Sequence, residues 1–265
     1  YSILSNDSAR SWKIGRRDIN EYRQILFSDD RLDLHENLFF NLSLHSIDKA
    51  VKNSASNVKL IIFISTELPN ARKKKLYDAA SERSYLIIKE LSPTDKTLVS
   101  MGDEVVNLVS EYSGELMYAT VRLDDDDALH PQFLNCLDEY LEPAYVGKCV
   151  SFSCGYAGLF DGSKFTSFHK MNAMNIALGL TAISKKCENG EIKGLKSIYN
   201  SSISHSRTHW KIPVVADGIS PMYIRTVHAQ GDFYSKDYEK KLSAAETVAN
   251  QEVLEDFLLK TKLVY

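Results

Sequence analysis

Three runs of aliphatic and β-branched residues, each separated from the next by a helical pattern, restrict this chain to the α/β class. They are "NVKLIIFIS" (57–65), "SYLIIKEL" (84–91) and "ELMYATVRL" (115–123). Short, nearly continuous apolar runs of this kind fit strands covered on both faces in a parallel sheet. Between them lie "TELPNARKKKLYDAA" and "GDEVVNLVSEYS", and before them "ENLFFNLSLHSIDKAV" sets Leu38, Phe39, Leu42, Leu44 and Ile47 on one side at helical spacing. Strands alternating with helices predict a doubly wound α/β sheet. "YSIL" adds a short apolar run at the start, ahead of the polar loop "SNDSARSWKIGRRD".

Past residue 127 the pattern changes. "HPQFLNCLDEYL" reads as a helix, and "AYVGKCVSFSCGYAGLFDGSKFTSFHKM" as two strands around the turn Phe160-Asp161-Gly162-Ser163, since Asp-Gly between strand-like runs is a strong hairpin signal. "MNAMNIALGLTAIS" looks helical, "GISPMYIRTVHAQGDFY" carries a strand ending near His228, and residues 241–265 close the chain in a long amphipathic helix. No repeat, low-complexity tract or Pro/Gly-rich linker forces a second domain. One domain spanning 1–265 is expected, made of the stretches 1–127 and 128–240 with the terminal helix after them.

Composition excludes several function classes. A chain of 265 residues that is 44% hydrophobic can bury one large core. A formal charge of -3 without a long Lys/Arg block argues against nucleic acid as a partner, and the basic cluster Arg72 to Lys75 reads as the solvated start of a helix. No window reaches the roughly 18 to 20 apolar residues of a membrane span, so any membrane association is expected to be peripheral. The first residues carry no signal-peptide pattern, so a cytoplasmic location is expected, with any membrane contact made from that side. Opening on an apolar run without Met suggests a piece of a longer protein. The four cysteines, Cys136, Cys149, Cys154 and Cys187, lack the paired spacing of a zinc site and read as free core thiols.

The chemistry concentrates in "RLDDDDAL". Four neighbouring carboxylates raise one another's pKa and are costly to desolvate without a cation or water. In open α/β sheets ligands sit beyond the carboxyl ends of strands. A divalent metal held there by one or two carboxylates, and completed by phosphate oxygens and water, suits Mg²⁺ or Mn²⁺. Two other readings stay open: an acidic loop capping the helix near Pro131, and a calcium site.

An apolar strand ending in "RLDDDDAL" resembles the Asp-x-Asp motif of GT-A glycosyltransferases. Together with "LFSDDRLDLHENLFFNLSLHSI", "FISTELPNARKKKL" and the late "MYIRTVH", it is similar to the bacterial rhamnosyltransferase family from residue 1 to about residue 230. The chain departs from that family where "SLHSI" replaces a Pro-containing form, in a helix remote from the chemistry. The resemblance implies a GT-A, Rossmann-like α/β fold with a mixed, mainly parallel central sheet. It also implies transfer of a sugar, rhamnosyl or another hexosyl or hexofuranosyl group, from a nucleotide-sugar donor to a glycan or lipid-linked glycan acceptor of O-antigen or capsule type, with Mn²⁺ or Mg²⁺ as cofactor. By the same resemblance Asp126 is the principal metal ligand, Asp124 faces the metal or the ribose, Asp125 points to the other side, and His228 stands where a third ligand is supplied.

Arg122 could pair with a phosphate or steady the acidic cluster. Ser5, Asn6, Arg10, Arg31 and Glu67 are candidates for nucleotide contacts. An acceptor hydroxyl must lose its proton, and Asp217, Asp161, His169 and His205 are the candidate bases, Asp217 first for its place nearest His228 in the sequence. Asp217 before Gly218 and Asp161 before Gly162 also have turn-forming explanations. In "HSRTHW", His205, Arg207, His209 and Trp210 could contact diphosphate or stack on an acceptor sugar. Competing readings are a Mg²⁺-dependent phosphate-ester hydrolase and a carbohydrate-binding or calcium-stabilised module.

Overall fold

The computed structural model describes residues 1–4, 18–201, 204–231, 234–242, 244–261 and 263. The elements run α1 (Ile19–Leu26), α2 (Asp29–Leu38), a π-helical turn (Phe39–Ser43), α3 (Leu44–Asn53), β1 (Leu60–Ser65), α4 (Asn70–Ser81), β2 (Leu86–Leu91), α5 (Thr97–Ser110), β3 (Leu116–Val121), β4 (Ala128–Leu129) and α6 (Phe133–Asp138). There follow β5 (Cys149–Phe152), β6 (Cys154–Phe160), β7 (Phe165–Asn172), β8 (Thr181–Lys186), β9 (Ile192–Lys193), β10 (Val214–Asp217), β11 (Tyr223–Val227), α7 (Lys236–Leu242), β12 (Thr247–Val248) and α8 (Asn250–Asp256). The chain divides into two compact units, Tyr1–Glu36 with Asn57–Met101, and Asn37–Ser56 with Gly102–Tyr265.

In the first unit, β1 and β2 pair in parallel, Leu60 opposite Leu86 through Ser65 opposite Leu91. The "YSIL" run is held without becoming a strand: the Tyr1 amino group donates to Phe63 O at 3.0 Å, and Tyr22 Oη donates to Ile3 O at 2.7 Å. Leu4 packs with Tyr22 and Leu26. The basic cluster at the start of α4 is ion-paired rather than merely solvated. Arg72 bonds Glu36 at 2.8 Å and also pairs with Asp33, Lys75 pairs with Glu36, and Lys73 bonds Glu90 at 2.6 Å. Glu36 is 1% exposed, so these cations balance a carboxylate that would be unstable there alone. The hydrogen bond to Glu36 raises the already high pKa of Arg72 further, against the cost of burial.

The second unit holds two five-stranded mixed sheets, in place of the mainly parallel central sheet expected. One runs β10-β5-β8-β3 with β9 on β8, the other β12-β7-β6-β11-β4. β3 pairs antiparallel with β8, Leu116 opposite Lys186 through Val121 opposite Thr181. β10 and β5 are parallel, as are β11 and β6. The expected helix over "MNAMNIALGLTAIS" is instead the end of β7, a loop and β8. Asn175 (φ 59) and Gly179 (φ 73) both take left-handed conformations that a helix forbids. Buried Leu178, Ile183, Val150, Phe152, Phe133 and Tyr223 join the two sheets in one core, with Phe133 and Phe152 ring centroids 4.9 Å apart, edge to face.

The hairpin between β6 and β7 forms as the Asp-Gly signal predicts. The run before it breaks at Ser153, where the chain changes sheet. Ser153 N–H donates to Asp217 O, and its carbonyl accepts from Ala173 N–H and Tyr223 Oη. The long terminal helix is replaced by α7, β12 and α8. Thr247 and Val248 add an edge to β7, where Val248 is buried, and Leu258 (φ 54) stops α8. The cysteines are free, Cys149 buried and the other three half-buried. No helix among the described residues is long and apolar enough to cross a membrane.

Two outcomes are expected. Arg72→Ala should lower unfolding free energy by about 2–4 kcal/mol in urea titration, because it strips a buried carboxylate of a close cation. Lys75→Ala, which removes a half-exposed partner of the same carboxylate, should cost about 1 kcal/mol or less. Gly155→Ala should destabilise by about 2 kcal/mol or more in the same titration: an added Cβ would lie 2.6 Å from Tyr223 O and 2.5 Å from the Tyr223 ring. A melt unchanged from wild type would show that β6 and β11 are not packed this closely.

Candidate active site at the ends of two strands

The acidic run leaves β3 and enters β4 through a turn at Asp125 and Asp126. Before the turn the backbone is still laddered, Arg122 N–H donating to Leu180 O at 2.9 Å and Gly179 N–H to Arg122 O at 2.8 Å. After it, β4 pairs antiparallel with β11, Ala128 opposite Ile224 and Leu129 opposite Tyr223. The residue between turn and strand, Asp127, is 5% exposed, and its Oδ1 accepts the Thr226 N–H at 2.8 Å. A side-chain carboxylate therefore stands where a neighbouring strand would offer a carbonyl, tying the acidic loop to β11.

That tie brings the sequence-distant partners together. His228 follows β11 and is 2% exposed, and its Nε2 lies 3.0 Å from Asp126 Oδ2. Asp124 is more open, its Oδ1 3.8 Å from Arg122 Nε. The Arg122 guanidinium lies 5.8 Å from the centroid of the Tyr199 ring. Burial works against its charge, but Asp124, Tyr199 and Asp127 outweigh that and raise its pKa. Burial pushes the Tyr199 phenol up to about 12, with Arg122 opposing the rise and Asp124 adding to it. Burial likewise pushes the Asp127 carboxyl well above the usual range, Asp126 and Asp124 push it further, and Arg225 and the Thr226 N–H pull it back. Asp124, Asp126 and Asp127 are thus crowded together with Arg122 and Arg225 within electrostatic reach, a crowding of carboxyl groups that a cation would relieve.

The remaining candidates have partners of their own. Asp217 ends β10, and both its carboxylate oxygens are engaged, Oδ2 by Tyr140 Oη at 2.9 Å and Oδ1 by Ile219 N–H at 3.0 Å. Asp161 sits exposed at the tip of the β6–β7 hairpin, where Oδ1 accepts from Ser163 N–H, Ser163 Oγ and Lys164 N–H. Those bonds, led by Lys164 N–H, lower its pKa and mark a turn-forming carboxylate. His169 lies in β7 with Nε2 3.0 Å from Ser167 Oγ. In the first unit, Glu67 is held by Arg23 through two bonds, at 2.6 and 3.1 Å, and Arg31 approaches Ser2 Oγ at 3.4 Å. Ser5, Asn6 and Arg10 lie outside the described residues. Arg207 covers the Trp210 ring at 4.9 Å, and His205 Nδ1 lies 2.9 Å from Asn175 O.

Three contributors were not singled out from the sequence. Asp127 and Arg225 are two, and a charged residue inside the apolar "MYIRTV" was a usable sign of Arg225. Tyr199, beneath Arg122, left no such sign.

No curated protein matches the chain. Residues 1–240 match the family described as "Putative rhamnosyl transferase", whose name is that of a glycosyltransferase. With the acidic loop and His228 inside the matched span, the chain belongs to that family.

Proposed function

We propose that this chain is a metal-dependent glycosyltransferase, moving a rhamnosyl or another hexosyl or hexofuranosyl group from a nucleoside diphosphate to a bacterial surface glycan or its lipid-linked precursor. The observation that carries the reading is the 3.0 Å approach of His228 Nε2 to Asp126 Oδ2, between residues 102 positions apart. A carboxylate and an imidazole converging beyond the ends of β11 and β3, amid further carboxylates, form a donor set suited to Mn²⁺ or Mg²⁺. Burial first, and then the neighbouring Asp126 and Asp124, raise the pKa of Asp127, and the second of these contributions is one that a cation would relieve.

In this reading Asp126 and His228 hold the cation, with Asp124 toward the cation or the donor ribose. Asp127 is a positioning group, keeping the loop against β11. Arg122 and Arg225 are guanidinium groups within electrostatic reach of the acidic run and would meet the diphosphate as its charge grows. The cation, when bound, neutralises the leaving diphosphate. Asp217 and Asp161 are less suited to take a proton, because their oxygens already serve a Tyr hydroxyl and turn N–H groups.

The test is a thermal melt followed by a turnover assay. UDP, GDP or dTDP should raise Tm by about 3–10 °C near 100 Kd, with Mn²⁺ or Mg²⁺ present and not without. Asp126→Asn should lose that shift and lower turnover of the matching nucleotide sugar at least about a hundredfold, while melting near wild type in the absence of ligand. A shift caused by Ca²⁺ without nucleotide would overturn the reading in favour of a calcium-stabilised module.

A further inference from the structure

Near the acidic loop lies a second cluster, built from two loops that follow β7 and β9. The 173–180 loop is fixed beside the acidic run by the two backbone bonds between Arg122 and residues 179 and 180. Ile198 and Tyr199 are held at the same strand end, Ile198 N–H donating to Thr120 Oγ1 at 2.9 Å and Tyr199 lying against Arg122. Asn175 and His205 join the loops. Asn175 is 2% exposed, its N–H donates to Ser151 Oγ at 2.9 Å, its Nδ2 lies 2.7 Å from His209 Nδ1, and its carbonyl meets His205 Nδ1.

We infer that His205 is the catalytic base that takes the proton from the acceptor hydroxyl. This rests on the glycosyltransferase reading above and assigns the proton acceptor within it.

A backbone carbonyl can only accept, so Nδ1 of His205 carries the proton and Nε2 carries the lone pair. No hydrogen bond engages Nε2 among the described residues. Burial lowers the pKa of this imidazole, and Arg122 and Arg225 lower it too, against the Asn175 carbonyl and Asp124, so the ring is neutral near pH 7 and able to accept.

The surroundings suit a sugar. Asn175 Oδ1 is buried without a partner among the described residues, which offers a second acceptor to a hydroxyl. Trp210 and Met174, 65% and 60% exposed, adjoin His209 and Asn175 and supply apolar surface of the kind that covers a pyranose face.

In the step, His205 Nε2 takes the acceptor O–H proton, and the freed oxygen pair forms the bond to the anomeric carbon. The bond from that carbon to the diphosphate oxygen breaks, and its electron pair leaves with the diphosphate. His205 then returns its proton to solvent. A single displacement of this kind inverts the anomeric configuration.

The test uses the whole chain with Mn²⁺, UDP-, GDP- and dTDP-sugars, and a panel of p-nitrophenyl glycosides as acceptors. His205→Gln should lower kcat for transfer by about 10²–10⁴-fold, while the melting shift given by nucleoside diphosphate with Mn²⁺ stays as in wild type. His205→Ala should regain activity with added imidazole, and proton NMR should show an inverted product. Transfer by His205→Gln within about fivefold of wild type, a retained anomer, or loss of the nucleotide-dependent shift along with activity would each overturn the assignment. A wild-type chain that turns over none of these sugars and shows no metal-dependent shift removes the glycosyltransferase reading, and this one with it.

Discussion

The hydrogen bond from Thr226 N–H to Asp127 Oδ1 governs the rest of the site. β4 is only two residues long, and its pairing with β11 stops at Ala128 opposite Ile224. Without another acceptor, the next inward-facing N–H of β11 would be left unpaired in a buried position, at about 1–3 kcal/mol. Asp127 satisfies that donor and in doing so sets the chain direction of the preceding turn. Asp126, one residue back, and His228, two residues beyond Thr226, are thereby brought together. The proximity of the site's two central groups is thus a consequence of β-sheet bookkeeping at one N–H.

The same bond has an electrostatic cost. It places a carboxylate in a buried position already crowded by Asp124 and Asp126, and the upward pKa of Asp127 records the strain. Arg225, on the strand that supplies the N–H, offsets part of it, and Arg122 offsets part from the other side of the turn. Structural demands alone would be met as well by Asn, which offers the same acceptor oxygen without charge. An acidic side chain here makes physical sense when a cation spends time nearby, which links the local structure to the proposed function.

How much of this could be read in the sequence depended on range. Local signals survived. The Asp-Gly turn made its hairpin, and Leu38, Phe39, Leu42, Leu44 and Ile47 are all buried as their spacing required, even though a π-helical turn at Phe39–Ser43 interrupts the α-helix. Partner choice was not legible. The run around β3 is apolar enough for a parallel sheet, but it pairs antiparallel with β8, a strand concealed under the helical spacing of "MNAMNIALGLTAIS". What decides against that helix is tertiary: Gly179 closes on Phe133, with a Cβ there 3.0 Å from its ring, and Asn175 adopts a left-handed conformation to meet Ser151, His205 and His209. The acidic run and His228 were conspicuous as residue types. That Asp127 is the one that holds the loop against β11 was not, because nothing in the run itself marks it until a strand pairs with it.

The two histidines show how position divides labour between identical side chains. His228 is almost fully enclosed, and the nitrogen turned toward the acidic loop lies 3.0 Å from a carboxylate oxygen, which leaves no room for an incoming hydroxyl. It is placed to help hold a charge. His205 is half-buried, its inner nitrogen is tied to a neutral carbonyl, and its outer nitrogen makes no hydrogen bond among the described residues. A carbonyl fixes the tautomer without adding the full negative charge that would favour imidazolium, and Arg122 and Arg225 disfavour the cation further. The chemistry assigned to each ring therefore follows from what stands opposite its nitrogens.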